Sequence, residues 1–372
     1  MLNATPLIYF DYNATAPLGK GVKEAVCSAL DQTGNPSSIH RSGKIAKSIL
    51  TKARQILGDH LGISPQDLIF TSGGTEANAM ALYGVDVEVL FVSSIEHASV
   101  FQTAQRRPNT LFQEIPVNSQ GIIDLEALTS LLESVKGKKI LISVMMANNE
   151  SGVVQPLSEI QERACSYSAL MHVDAVQALG KMPISREDLK VDLMSFSGHK
   201  IGSPMGVGAL YIREGLPFKS LYGGGGQERR LRSGTENVSG IAGFGKAVEN
   251  IDFSKWDIVR SQRLYLERAL KERFSDLFIA SENVPRLPNT TLMGRPSLPS
   301  STQVIQLDLE GICLSSGSSC SSGVVKESLV LKAMGTPEKI RSSVIRVSLG
   351  PETRQDDIER FITVYTRLQG KS

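Results

Sequence analysis

The 372 residues suffice for two domains, or one large domain with a smaller layer appended, and a 41% hydrophobic content can fill a sizeable core. Forty basic against 38 acidic residues leave a formal charge of +2, which implies no nucleic acid or other polyanion as partner. Four cysteines without paired spacing argue against a disulfide framework and a zinc site and point to a reducing compartment, so a cytoplasmic location is expected. Asp11 interrupts the apolar run Leu7 to Phe10 and no stretch approaches membrane-spanning length, so neither a leader nor a membrane association is expected.

Residues 1–16 read as a short strand and an irregular arm. A helical pattern follows over Gly21 to Leu30, where Cys27 sits among Ala25, Val26 and Leu30 as a core residue would. Gly34 to Ser38 is turn material, and His40 and Arg41 lead into a helix ending near Leu61. Leu68 to Thr71 is a predicted strand, and Ser72-Gly73-Gly74-Thr75 leads from it into a helix over Glu76 to Tyr83. A glycine-rich turn that opens a helix presents unpaired N–H groups and the positive end of the helix dipole, which suits a phosphate monoester. Gly74 and Thr75 are therefore candidate phosphate ligands, although an ordinary strand-to-helix turn with a threonine cap has the same appearance. Val89 to Val92 is the next strand, followed by Glu96-His97. Ile140 to Met146 is another, ending at Asn148-Asn149-Glu150, and Leu157 to Ser168 is a helix holding Cys165.

The chemistry gathers in the following two strands. Val191 to Phe196 reads as a buried strand that turns small and polar at Ser197 and Gly198, placing Lys200 just past its carboxyl end. Ligands bind at that edge of an open α/β sheet, and a desolvated lysine there becomes a nucleophilic amine. Lys200 is thus a candidate Schiff-base lysine, against the plainer reading of a solvated loop lysine. Leu170 to Ala175 is a short apolar run carrying Asp174, with Gln177 three residues on. A pyridoxal phosphate (PLP) site requires such a carboxylate facing the pyridine nitrogen, while a helix N-cap would be the alternative use for Asp174.

Val207 to Ile212 is an apolar strand. The glycines at 223–226 do not match G-x-G-x-x-G and open no predicted helix, so they read as a turn. A long helix, about Val238 to Phe274, is expected to join the large domain to a small one. That domain would hold strands at Thr290 to Leu292, Gln303 to Leu307 and Val344 to Ser348, and helices at Val324 to Met334 and Asp356 to Leu368. Domain bounds of 1–16 for the arm, 17–258 for the large and 259–372 for the small domain follow. Between Ser315 and Gly323 the only side chain that is not small and polar is the Cys320 thiol, so this stretch reads as a loop exposing Cys320, whereas Cys313 beside Ile312 and Leu314 reads as core. Arg346 within its β-rich run needs a partner such as a carboxylate, which a guanidinium fork matches bidentately.

These segments, spread over nearly the whole chain, resemble the cysteine desulfurases, PLP enzymes of the class V aminotransferase group. The motifs carrying the resemblance are Tyr9 to Thr15, Thr71 to Glu76, Glu96-His97, Asn148 to Glu150, His172 to Ala175, Ser195 to Lys200, Arg232 to Thr235 and Ser315 to Cys320. The variety serving nitrogen fixation and general iron–sulfur cluster assembly looks most similar. The resemblance implies PLP fold type I, an α/β architecture with a mostly parallel sheet in the large domain and a smaller α/β C-terminal domain. It implies that His97 stacks on the cofactor ring and moves protons, that Asn149 and Gln177 donate to its phenolic oxygen, and that Ser197 and His199 help hold the phosphate. Thr235 would reach the phosphate of the neighbouring subunit of a homodimer. Asn13 and Asn149 would lie against the substrate, whose α-carboxylate would be held by Arg346.

The implied reaction takes L-cysteine to L-alanine, with Lys200 moving the Cα proton and Cys320 accepting the sulfur as a persulfide for an acceptor or iron–sulfur scaffold protein. No metal is implied. Met205, Ala79, Ser151 and Ser319 depart from the usual pattern without removing a catalytic group, and the chain stops soon after Leu368, which puts docking of a scaffold through a C-terminal tail in doubt. The rival readings are an aminotransferase or selenocysteine lyase of the same fold and, outside enzymes, a silent sulfur-carrier scaffold.

Overall fold

The computed structural model describes residues 7–184, 190–317 and 327–370. The chain enters through β1 (Ile8–Tyr9), passes two helices at Val22–Leu30 and Arg41–Leu61, and builds a large sheet from β2 (Leu68–Thr71), β3 (Val89–Ser93), β4 (Leu111–Ile115), β5 (Ile140–Met145), β6 (Leu170–Asp174), β7 (Leu193–Ser197) and β8 (Gly208–Ile212). Their order across the sheet is β2-β8-β7-β6-β5-β3-β4. Only β8 runs against its neighbours. The sheet is therefore mostly parallel, as expected, and the carboxyl ends of six of its strands share one edge.

Both faces are apolar because both are covered. Ile69, Leu90 and Leu193 pack into one core while their sequence neighbours Phe70, Phe91 and Met194 pack into the other. Strands buried on both sides lose polar–apolar alternation and read as continuous hydrophobic runs, which is what made them recognisable.

A second sheet, ordered β12-β13-β10-β9, joins β9 (Phe278–Ile279), β10 (Thr290–Gly294), β12 (Ser315–Ser316) and β13 (Val344–Ser348). The arm belongs to this part of the molecule: β1 pairs in parallel with β11 (Ile312–Cys313), and Ile8 and Phe10 sit in one core with Leu270, Ile345, Val347, Phe361 and Tyr365. Phe10 meets the Phe361 ring edge-on at 5.8 Å.

Two expectations for this half are corrected. Gln303 to Leu307 is not a strand but lies in the helix Ser300–Leu309, which buries Ser300, Gln303 and Leu307 and leaves Ile305 and Leu309 exposed. Positions three and four apart share the buried face, a helical period that a short apolar run conceals. The long helix expected over Val238 to Phe274 is two, Val238–Glu249 and Ser254–Arg273, because Asp252 accepts from the Ser254 N–H and hydroxyl and restarts the chain after Asn250. The boundary expected at residue 258 falls inside the second helix. The helix expected over Val324 to Met334 begins, among the described residues, at Leu329, capped by Ser328, and ends at Ala333; residues 324–326 lie outside them.

Removing the Phe10 ring leaves a cavity that the surrounding core cannot fill, so Phe10→Ala is expected to cost about 3–5 kcal/mol in urea unfolding. An unchanged midpoint would contradict a structural role for the arm in this core.

Candidate active site

A cavity of about 520 Å³ opens at the shared edge of the large sheet and is lined by residues from both halves of the chain. Asp174 ends β6, and Lys200 follows β7 in a short 3-10 turn, Gly198–Ile201. Gly74 and Thr75 open the helix Gly74–Gly84 that follows β2, His97 caps the helix Ala98–Arg106 after β3, and Asn149 follows β5. Asn13 comes from the arm and Arg346 from β13. The lining thus holds Asn13, Gly74, Thr75, His97, Asn149, Asp174, Gln177, Ser197, His199, Lys200 and Arg346, each singled out in the sequence. Thr235 is exposed and does not line the cavity. Cys320 lies outside the described residues.

The turn at Gly73 and Gly74 has a backbone that only glycine adopts readily. Gly73 adopts φ 154°, a conformation that L side chains rarely take, and a Cβ on Gly74 would meet Val176 Cγ2 at 2.8 Å. The helix start beyond it exposes amide donors to the cavity.

Asp174 is 5% exposed and accepts from the Val176 N–H at 2.9 Å and from Asn78 Nδ2 at 2.7 Å. Burial raises its pKa, and these two donors offset part of the rise. A desolvated carboxylate with so little compensation suits a cationic N–H partner. Asn78 also donates to Ser99 Oγ at 2.9 Å, and Ser99 in turn meets His97 Nδ1 at 2.8 Å from its hydroxyl and 3.1 Å from its backbone N–H. Nδ1 accepts from a backbone amide, which assigns the neutral ring's proton to Nε2. His97 is exposed to the cavity, yet desolvation by the surrounding site lowers its pKa, opposed by Asp174.

Lys200 Nζ donates to the carbonyls of Asn13 at 2.7 Å and Ala14 at 2.8 Å. Burial, then the Arg346 charge, lower its pKa to about 8, against the pull of Asp11 and Asp174. His199 is lowered to about 4 by burial and by Lys200, and its buried Nδ1 has no hydrogen-bond partner among the described residues. Arg346 donates through Nη2 to Asp11 at 2.7 Å and Ser315 at 3.1 Å, and through Nη1 to the Asn149 carbonyl at 3.0 Å, while its buried Nε has no partner among the described residues. Asn78, Ser99, Asp11 and Ser315 escaped the sequence reading as site residues. Asn78 is one turn beyond Gly74 on the phosphate helix, and that spacing was the signal available for it.

The class V aminotransferase family model matches residues 8–361. A cysteine desulfurase named IscS from Dictyoglomus turgidum is 37% identical over 97% of this chain and 94% of its own length, and a cysteine desulfurase from Sinorhizobium fredii is 39% identical over 96% and 95%. The solved structure of a NifS-like protein from Rickettsia africae superposes with a TM-score of 0.90 at 39% identity, covering 98% of this chain and 99% of that one. The chain belongs to the class V aminotransferase family and, within it, to the cysteine desulfurases. Its fold is that of PLP enzymes of type I.

With no cofactor bound, Lys200 is expected to react with an amine acylating reagent, followed by mass spectrometry, with a half-maximal rate near pH 8. A Lys200 midpoint near the ordinary 10.5 would contradict the desolvated, cation-flanked site.

Proposed function

We propose that the chain binds PLP in this cavity and converts L-cysteine to L-alanine, passing the sulfur through a persulfide on Cys320 to an acceptor protein of iron–sulfur cluster assembly or another sulfur-donating pathway. The observation that carries this reading is that Lys200 and Asp174, from adjacent strand ends, open onto one cavity with Arg346 across it. The residues present fit the cofactor. Gly74 has no room for a side chain beside the helix start, His199 Nδ1 is buried and unpartnered among the described residues, and Asp174 is a buried carboxylate in need of a cation. The helix start with Thr75, Ser197 and His199 would hold the phosphate, Asp174 the pyridine nitrogen, His97 the ring face, and Asn149 and Gln177 the phenolic oxygen. Bound there, the group supplies an electron-withdrawing ring that acidifies the substrate Cα–H.

The chain's own groups do the rest. Arg346 has a free Nε among the described residues, and its fork would receive the substrate α-carboxylate. Lys200, with its depressed pKa, has an appreciable neutral fraction near neutral pH and would hold and return the Cα proton. His97, protonated at Nε2 in its neutral form, faces the same space and would relay a proton. The Cys320 thiolate would form an S–S bond to the substrate Sγ as the Cβ–Sγ bond breaks, and a proton delivered to Cβ completes alanine.

A homodimer completes this reading, with the exposed Thr235 extended toward the partner's phosphate. Its segment is braced at the base: Glu228 binds Arg54 at 2.6 Å and 2.8 Å and accepts from the Phe70 N–H, while Arg232 pairs with Glu76 at 2.9 Å. A reducing cytoplasm suits Cys27, Cys165 and Cys313, which form no disulfide among the described residues.

Sulfide and alanine release from L-cysteine, with PLP and a thiol reductant, tests the proposal. Wild type is expected to release the two in equal amounts, and Cys320→Ala to lose both while keeping the visible cofactor band. Turnover that survives Cys320→Ala, or keto acid without sulfide, would overturn the persulfide route in favour of a lyase or an aminotransferase. Lys200→Ala is expected to lower the rate by at least about a thousandfold, judged by the cost of removing activated catalytic groups elsewhere.

A further inference from the structure

We infer that Lys181 is a positioning residue, fixing which ends of the Gln177 and Asn13 amides face the cavity. The inference rests on the PLP reading of the site. Lys181 lies in the turn after β6, is 3% exposed and does not line the cavity. Its Nζ donates to Gln177 Oε1 at 2.6 Å and to Asn13 Oδ1 at 2.7 Å. No carboxylate pairs with it among the described residues. Burial, with the Lys200 and Arg346 charges, holds its pKa well below the ordinary value. An amine has at least two N–H donors in either protonation state, and the site offers two amide oxygens.

An amide side chain has one accepting and one donating end of nearly equal shape, so a neighbour must select between its two orientations. The Lys181 donors select the oxygen of Gln177, and its Nε2 is thereby turned to the Asn13 carbonyl at 3.0 Å and to the cavity. Asn13 is selected in the same way, with Asn289 Nδ2 adding a second donor to Oδ1 at 3.0 Å. Its Nδ2 then points to Thr290 Oγ1 at 2.8 Å and the Asn149 carbonyl at 3.3 Å. The Asn13 carbonyl is also an acceptor for Lys200 Nζ. One buried amine therefore sets a donor on Gln177 toward the phenolic oxygen and steadies the residue on which Lys200 rests. Without it, Gln177 is free to present its oxygen, which an anionic phenolic oxygen repels.

Lys181→Met keeps the chain length and removes the donors. In the PLP-loaded protein, the pH midpoint of the visible cofactor band is expected to rise by about one unit, a tenfold change in the protonation equilibrium. kcat/KM for cysteine is expected to fall about tenfold or more, as for loss of one oriented hydrogen bond in a buried network. In a Gln177→Leu background, Lys181→Met is expected to add less than a third of its own shift, since the effect is routed through that amide. If Lys181→Met does not accumulate folded, Lys181→Gln, which keeps an N–H donor, replaces it and is expected to leave the midpoint near wild type. An unmoved midpoint in Lys181→Met, a full additional shift in the Gln177→Leu background, or a one-unit shift in Lys181→Gln would overturn the inference. A wild-type protein with no PLP band at all would instead overturn the reading beneath it.

Discussion

The desolvated carboxylate of Asp174 is the constraint around which the site is arranged. Five percent exposed, with one backbone and one side-chain amide as donors, it is costly to keep charged, and the fold surrounds it with groups that make the charge useful. Asn78 holds one carboxylate oxygen and, through Ser99, sets the His97 tautomer, so Asp174 and His97 share one hydrogen-bond chain. Lys200 and His97 lie close enough for each to act on the carboxylate electrostatically. Such a constellation is assembled by topology: parallel strands deliver their carboxyl ends to one edge, and adjacent strands differ there in the group they carry.

The second half of the chain reaches this edge through the arm. Asn13 uses its backbone and its amide in full, binding Ser348, Gln177, Lys181, Lys200, Thr290, Asn289 and the Asn149 carbonyl. Its N-terminal neighbours Ile8 and Phe10 are packed in the core of the smaller sheet. The geometry around Lys200 is thereby linked, through the Asn13 and Ala14 carbonyls, to the packing of a sheet far away in sequence.

Much of this was readable in the sequence because the signals are local. Strands covered on both faces announce themselves as apolar runs, and strand ends as abrupt changes to small polar residues, which is why Lys200 and Asp174 were found. The helix over Ser300–Leu309 was not, since Gln303 is buried through hydrogen bonds to the Leu298 and Ser343 carbonyls and breaks the apolar period. Asn78, Ser99, Lys181 and Asp11 could not be placed for a related reason. Their importance lies in partners distant in the chain, and a buried lysine or asparagine has the same local sequence as a solvated one.

Arg346 brings these threads together. Its fork is shared by Asp11 and Ser315, and Ser315 Oγ lies 2.9 Å from both Asp11 carboxylate oxygens. Ser315 begins the stretch that leads to Cys320. On the far side of that stretch, Ser328 caps the helix Leu329–Ala333 and donates to Glu150, whose carboxyl burial pushes up to about 7 against the opposing effects of Ser328 and Arg346. Glu150 follows Asn149, whose carbonyl is itself bound by Arg346. Both ends of the segment carrying the thiol are thus tied, through one guanidinium and its neighbours, to the place where a substrate carboxylate would arrive. A carboxylate bound through Arg346 Nη2 would share or replace the Asp11 contact, so occupancy of the cavity would be felt at Ser315, which precedes Cys320, the proposed sulfur acceptor, by five positions in the sequence.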